Sequence, residues 1–399
     1  MGVENIIYLV LGFSWIYFSV LFLVLYLNSG KRIKRTPSPR NFPSVTVVVP
    51  AHNEEEHIAE TVENLKRMEY PGRLEILVVD DGSTDRTCEL AKKAGARVLR
   101  LEKNRGKAAA LNYALRNCSS ELFAVVDADT YPKRDALLKT VGFFSEPGVA
   151  AVTSSVFVKR PRTLFEKFQA VEYITVSWTR KMLEEMESIY VTPGTLSVYR
   201  RDVILKLGGF DETNLTEDIE IAWRLINEGY KIRMSLTSEV STAVPKTLSG
   251  WWKQRLRWNI GGMQTFFKYA SLLLKGRAKG VSLFLLPFFS VSYLLSLIGF
   301  LLMFYLLWSS SASVLSFFLS LGLGVRPEPS FELLPTTLLI LGFAVLGLSL
   351  TLLALHFRTL RHPGVSPFSL LLFFAIYITL HPFNLLHATL LFLRGHRGW

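Results

Sequence analysis

Apolar and polar positions divide this chain into a middle region with membrane-like runs on both sides. Ile6–Leu27 is nearly unbroken apolar sequence without a charged residue. About 20 such residues, coiled as a helix, cross the hydrocarbon core of a bilayer. The run is too long for the core of a signal peptide and no basic segment precedes it, so it reads as a retained anchor. Three further runs close the chain, at Val281–Trp308, Leu333–Leu355 and Phe368–Leu393. The pattern predicts four membrane spans. A shorter apolar run, Val314–Val325, fits a re-entrant or interfacial piece, and His381-Pro382 is placed to break the last helix.

The mixed region between about Pro43 and Leu274 has a different rhythm. Val45–Val49, Leu74–Val79 and Leu122–Val126 are short runs rich in β-branched residues, read as strands. Helix-like stretches lie at Glu55–Met68, Arg86–Ala94 and Lys107–Arg116. Continuous apolar strands alternating with helices argue a parallel sheet. In such sheets ligands bind at the carboxyl ends of the strands, and each strand here ends in a polar cluster. Thr163–Tyr190 carries Leu164, Phe168, Val171, Trp178, Met182 and Met186 at helical spacing, as a core-facing stripe or a helix under the bilayer. Ser249–Phe267 looks similar and is expected to be interfacial.

Charge orients this plan. Lys31, Arg32, Lys34, Arg35 and Arg40 follow the first apolar run, and Lys275, Arg277 and Lys279 precede the second. The positive-inside bias puts the middle region in the cytoplasm and the N-terminus outside. Arg326 is the one basic residue of the next loop, as expected outside, and Arg358, Arg361 and His362 mark an inside loop. The C-terminus is then external, with Arg394 and Arg397 against that placement. The expected layout is a membrane helix at 1–30, a cytoplasmic domain at 31–248, an interfacial amphipathic helix at 249–279 and about three membrane helices at 280–399, giving a multi-pass protein of the cell membrane.

Composition agrees. The 399 residues are 50% hydrophobic and 20% charged, with a net charge of +12. Soluble domains are nearer 25% charged. Nucleic acid, lipid headgroups or a phosphate-bearing substrate would each answer the positive charge. No nucleic-acid module or stripe of basic and stacking residues is present, so membrane lipid and substrate remain. The two cysteines, Cys88 and Cys118, have no metal-like spacing and read as reduced thiols.

The polar clusters at the strand ends carry candidate chemistry. Asp127-Ala128-Asp129 is a DxD after a strand. It is either an acidic turn or a pair of carboxylates for Mg²⁺ or Mn²⁺, which take one or two carboxylates together with substrate phosphates. Asp80-Asp81-Gly82-Ser83-Thr84-Asp85 is either a turn with Ser83 or Thr84 as helix cap, or a carboxylate site for a nucleoside. Pro50-Ala51-His52-Asn53-Glu54 starts a helix or supports that nucleoside. Asn104-Arg105-Gly106-Lys107 is a solvated basic loop or a phosphate site at a helix start. Thr216-Glu217-Asp218 caps the amphipathic stretch Ile219–Ile226 or supplies a carboxylate base. Gln254-Arg255-Leu256-Arg257-Trp258 follows Trp251-Trp252, as the edge of an interfacial helix or as a sugar-stacking and diphosphate-binding group.

In this order, the DDG, DxD, TED and QxxRW motifs resemble the family 2 inverting glycosyltransferases of GT-A fold. The resemblance runs from about Val45 to Trp258 and is closer still to the membrane polysaccharide synthases of hyaluronan, chitin, cellulose and poly-N-acetylglucosamine. It implies an α/β GT-A domain with a Rossmann-like mixed sheet, plus α-helical transmembrane segments. Asp80 and Asp81 would touch the nucleoside, with Ala51, Asn53 and Glu54 supporting the base. Lys107, Gln254, Arg257 and Trp258 would meet the diphosphate and sugar, and Asp127 would hold nucleotide and metal together with Asp129. Asp218 would be the catalytic base. Thr192, Pro193, Gly194 and Glu217 would lie at the acceptor; relatives often carry an aromatic residue or cysteine near Thr192–Thr195, so that match is loose. The implied donor is a UDP-sugar, the implied metal Mg²⁺ or Mn²⁺, and the acceptor a glycan or a lipid-linked group. A dimer or other partner would be needed for a wide polysaccharide channel, since four spans make only a narrow one.

Overall fold

The computed structural model describes residues 3–274, 284–323, 336–360 and 366–395. Lys275, Arg277, Lys279, Arg326, Arg361, His362 and Arg397 lie outside the described residues. The chain forms two compact units: Met1–Leu27 with Pro287–Arg358, and Asn28–Leu286 with Thr359–Trp399.

The first unit is built from long apolar helices: most of α1 (Val3–Ser29) and α10 (Leu285–Gly322), with α11 (Thr336–Thr359). Among the described residues, three stretches are long and apolar enough to cross a membrane: Asn5–Ser29, Leu285–Ser309 and Ile340–Thr359. The run expected as a separate piece from Val314 begins inside α10, which continues unbroken to Gly322. Nothing between Trp308 and Val314 stops a helix: Ser309, Ser310, Ser311 and Ser313 are tolerated in an otherwise apolar helix, and no glycine or proline intervenes.

The second unit holds an eight-stranded sheet in the order β3-β2-β1-β4-β7-β6-β8-β5. Its first half follows the sequence pattern. β1 (Val45–Ala51), β2 (Leu74–Asp80), β3 (Arg97–Arg100) and β4 (Leu122–Val125) pair in parallel, crossed over by α2 (Ile58–Lys66), α3 (Thr87–Lys93) and α4 (Lys107–Asn117). Val47, Val49, Val78, Leu122 and Ala124 are buried in one apolar core with Ile58, Val62 and Leu65 of α2. The second half departs from a parallel sheet. After the short β5 (Thr130–Pro132) and α5 (Leu138–Val141) come β6 (Val149–Val158), α6 (Leu164–Glu184) and β7 (Ser197–Arg200), and β7 runs antiparallel to both β4 and β6. α7 (Arg201–Lys206) and α8 (Glu217–Asn227) precede β8 (Lys231–Thr242), which is parallel to β6 and antiparallel to β5. The sheet is therefore mixed.

α6 starts at a capping box, Thr163 with Glu166, and its Phe168, Val171, Ile174, Trp178 and Met182 are buried against the domain. The core-facing reading of this stripe holds for Phe168, Val171, Trp178 and Met182, while Leu164 is exposed and Met186 lies beyond the helix end. α9 (Leu248–Leu274) buries one face in the domain. Trp251 is fully buried and packs edge-on against Phe165 and Phe168 of α6, and Arg255 is buried too. α12 (Pro367–Leu393) closes the unit and packs on α9 and α6. It runs continuously through Pro382, so His381-Pro382 does not break it. Packing against neighbouring helices is the setting in which an apolar helix tolerates a proline.

Candidate active site

The ends of β1, β2 and β4 lie side by side, and their loops are laced together. Ala51 ends β1, and its carbonyl accepts the Asp81 N–H at 2.8 Å. Asn53 stands in a left-handed conformation, its N–H donating to Ser83 Oγ at 3.0 Å and its Oδ1 accepting the Thr84 N–H at 2.9 Å. Asp80 is fully buried; its Oδ1 accepts the Ser83 N–H at 2.9 Å, and Arg100 Nε lies 3.1 Å from Oδ2 without hydrogen-bond alignment. Asp81 accepts the N–H of Arg105 at 2.8 Å and of Gly106 at 2.7 Å. The DDG aspartates thus shape the floor between β2 and the loop that leads into α4.

That loop delivers Lys107, the first residue of α4, to the centre of the site. Its Nζ lies 2.6 Å from Asp127 Oδ1 and 3.1 Å from Glu217 Oε1. Burial works against the ammonium, but Asp127, then Glu217 and Asp218, hold it charged well above the usual lysine range. A strand-end acid, a helix-start base and a second helix-start acid from three separate segments meet at one nitrogen.

Residues 192–195 bridge this cluster. Gly194 accepts the Asp127 N–H at 2.8 Å, while Thr192 donates to the Asp218 carbonyl through N–H at 3.2 Å and Oγ1 at 3.0 Å. Ser197 Oγ ties the Pro193 carbonyl at 2.7 Å. A Cβ at position 194 would collide with Lys107 Nζ and the Asp127 carboxylate, so a larger residue there would displace these two side chains from each other.

Asp218 is the second residue of α8, with its Oδ1 on its own helix start at Ile219 N–H, 3.0 Å away. Burial, then the neighbouring Glu217, raise its pKa to about 6; Lys107 and Arg257 pull the other way. A carboxylate tuned toward neutral pH and facing the cluster is suited to accept a proton. Arg257 of α9 is exposed and close enough to favour the Asp218 charge, so the QxxRW helix borders the site. Gln264 Oε1 accepts the Leu215 N–H at 2.9 Å, and Gly261 lets α9 approach Thr216 at the start of α8.

Asp127 and Asp129 stand on the turn after β4. Asp129 Oδ1 is 3.3 Å from both Thr130 Oγ1 and Thr242 Oγ1. Burial, then Asp127, raise the Asp129 pKa. Burial, then Asp129 and Asp127, push Glu54 up to about 7. Glu54 and Asp129, raised in this way by acidic neighbours, fit together with Asp127 a divalent cation, which would relieve the repulsion. Among the described residues no three acidic, histidine or cysteine side chains close into a metal cage. Mg²⁺ and Mn²⁺ do not need one where substrate phosphates and water complete the shell.

Residues 46–208 match the glycosyl transferase family 2 domain. A probable glycosyltransferase of Bacillus subtilis, YdaM, is 32% identical over 298 residues, 72% of this chain and 69% of that protein. The chain belongs to glycosyl transferase family 2. A poly-beta-1,6-N-acetyl-D-glucosamine synthase of Staphylococcus aureus is 30% identical over 230 residues, and this glycosyltransferase spans 56% of that synthase's length. Among solved structures, the mannosyltransferase PcManGT from Pyrobaculum calidifontis, in complex with GDP-Man and Mn²⁺, is 23% identical, with a TM-score of 0.62 over 98% of this chain and 99% of that one. The shared fold is the GT-A type expected from the motifs.

The motif reading passed over two residues of this glycosyltransferase. Tyr173 of α6 is half-buried beside Val158, Ala170 and Val244. Burial raises its hydroxyl well above the usual range, with Arg255 opposing and Glu172, Asp129 and Asp127 adding to the shift, which puts it near the DxD. Arg255, an unspecified position of QxxRW, donates to Gln254 Oε1 at 2.6 Å and lies 4.1 Å from the centre of the Trp258 ring. One face of Trp258 is therefore already covered. The even spacing of apolar residues in α6 hid Tyr173, and nothing local to α9 separates Arg255 from Arg257.

Proposed function

We propose that this glycosyltransferase is a multi-pass enzyme of the cell membrane that transfers a hexose or N-acetylhexosamine from a UDP-sugar to a growing β-linked polysaccharide, with inversion. The observation that carries the reading is the meeting of Asp127, Lys107, Glu217 and Asp218 around residues 192–195. Asp218 takes the proton of the acceptor hydroxyl. The oxygen then attacks the anomeric carbon from the face opposite the diphosphate, the bond from that carbon to the diphosphate breaks, and UDP leaves. Lys107 and Arg257 balance the charge that develops on the departing group. Asp127 and Asp129 would hold Mg²⁺ or Mn²⁺, which neutralises the diphosphate when bound. The 30% identity to the staphylococcal synthase supports a β-linked polymer as product. The three long apolar stretches support membrane insertion.

Transfer of one sugar to a lipid-linked acceptor is the second reading. It is favoured by α12, which packs on α6 and α9 and so leaves fewer helices to form a channel. The test incubates the detergent-purified protein with labelled UDP-sugars, and GDP-mannose for comparison, plus Mn²⁺. UDP release with a ladder of product sizes is expected. A single organic-extractable product would replace the polymer by the lipid acceptor, and release of GDP alone would overturn the donor.

A further inference from the structure

Outside the catalytic cluster, one group of buried polar side chains joins α6, α9 and α12. Glu172 and Arg255 are each 3% exposed and form a two-pronged pair, with Arg255 Nε 2.8 Å from Glu172 Oε1 and Arg255 Nη2 2.5 Å from Oε2. Tyr377 of α12 donates its hydroxyl to the same Oε1 and stacks on His381. The remaining arm of Arg255 reaches Gln254 and its plane covers Trp258. A second set of bonds lies further along: Asn384 Nδ2 donates to the Trp252 carbonyl at 3.0 Å, Asn259 Nδ2 donates to Asn384 Oδ1 at 3.0 Å, and Trp252 Nε1 donates to His387 Nδ1 at 3.2 Å.

A buried ion pair contributes little net stability, because desolvation offsets its attraction. Apolar residues of like volume would pack here as well. What the pair and the hydroxyl do supply is direction: a planar guanidinium held at both ends admits one orientation. That orientation passes to Gln254 and Trp258, two of the three residues named by the QxxRW motif.

We infer that Glu172, Arg255 and Tyr377 form a positioning bolt, by which the C-terminal helix α12 sets the orientation of Gln254 and Trp258 at the active site. The inference rests on the reading that Gln254 and Trp258 serve sugar transfer. Tyr377 touches neither donor nor acceptor and acts through Glu172 and Arg255. Its hydroxyl fixes the carboxylate, the carboxylate fixes the guanidinium, and the guanidinium fixes the two motif side chains. A misplaced group at the reacting centre costs rate in the transition state rather than ground-state nucleotide binding.

The test compares Tyr377→Phe, Glu172→Gln and His387→Ala in the full-length, detergent-purified chain, using whichever UDP- or GDP-sugar of a panel the unaltered protein turns over. UDP or GDP affinity is measured by titration alongside. Tyr377→Phe and Glu172→Gln are expected to lower kcat about tenfold, with KM for the donor and nucleotide affinity within about twofold. His387→Ala removes a bond from the same helix that does not lead to Gln254 or Trp258, and is expected to keep kcat. Tyr377→Phe added to the double variant Gln254→Ala with Trp258→Ala should cost no further rate, since the bolt then has nothing to orient. If Tyr377→Phe keeps kcat while Trp258→Ala lowers it, the bolt is refuted and the motif reading stands. Equal losses for Tyr377→Phe and His387→Ala would make α12 a general prop and overturn the bolt. Full activity in Gln254→Ala and Trp258→Ala would remove the motif reading and the bolt together.

Discussion

Asp218 sits in an environment that runs against its sequence context. Locally it is an acid at a helix start, where a charge is normally favoured. Burial and Glu217 reverse that preference and raise its pKa from 3.8 to about 6. As a base it works only when deprotonated, so kcat/KM should fall about tenfold per pH unit below about 6. Asp218→Asn should lower kcat by about 10²- to 10⁴-fold and abolish that acid limb, with nucleotide binding retained. The stability effect has the opposite sign. The folded state binds the proton more tightly than the unfolded chain, so the Asp218 charge costs stability above about pH 6 and the cost disappears below about pH 4. Asn at 218 should therefore raise the denaturation midpoint at pH 7, and that gain should vanish in acid. Gly194 offers a second test. Gly194→Ala puts a methyl group into the space of Lys107 Nζ and should lower kcat/KM about 10- to 100-fold, measured by nucleotide release, with little change in melting temperature.

At the scale of elements, what was legible depended on where the polar atoms find partners. β1, β2 and β4 are continuous apolar runs and stood out. β6 is buried along its whole length, yet Thr153, Ser154 and Ser155 interrupt its apolar pattern. Ser154 pairs with Ser238 and Ser155 with the Leu236 carbonyl, both on β8, so the polarity of the two serines is satisfied by a strand about 80 residues away. β8 is masked in the same way by Arg233, which bonds Glu146 and Glu187. α9 shows the converse. Its Trp and Arg edge has the composition of a membrane-surface helix, but the partners Phe165, Phe168 and Glu172 come from α6 and cannot be read from α9 itself. Trp251→Ala should accordingly destabilise the domain by about 3–5 kcal/mol, as for a buried aromatic residue, measured by denaturant unfolding in detergent. A lipid-facing Trp251 would cost far less.

At the scale of the whole molecule, the fold brings the motif residues together at the candidate site. DxD, TED and the residues 192–195 are far apart in sequence, and their meeting at Lys107 is a product of the mixed half of the sheet, where β7 returns beside β4. The apolar runs marked the long helices but not their ends: α10 continues past Trp308 to Gly322, and α12 keeps its course past Pro382. The three long apolar stretches predict that alkaline carbonate leaves the protein in the membrane pellet and that detergent releases it. Release by carbonate alone would mean a surface-bound protein. The central claim is a single inverting displacement at Asp218, and the anomeric configuration of the product tests it most directly. With an α-linked UDP-sugar as donor, proton NMR of the isolated product should show a β linkage. An α linkage would contradict the account, because retention needs a second displacement and a nucleophile in place of the base assigned to Asp218.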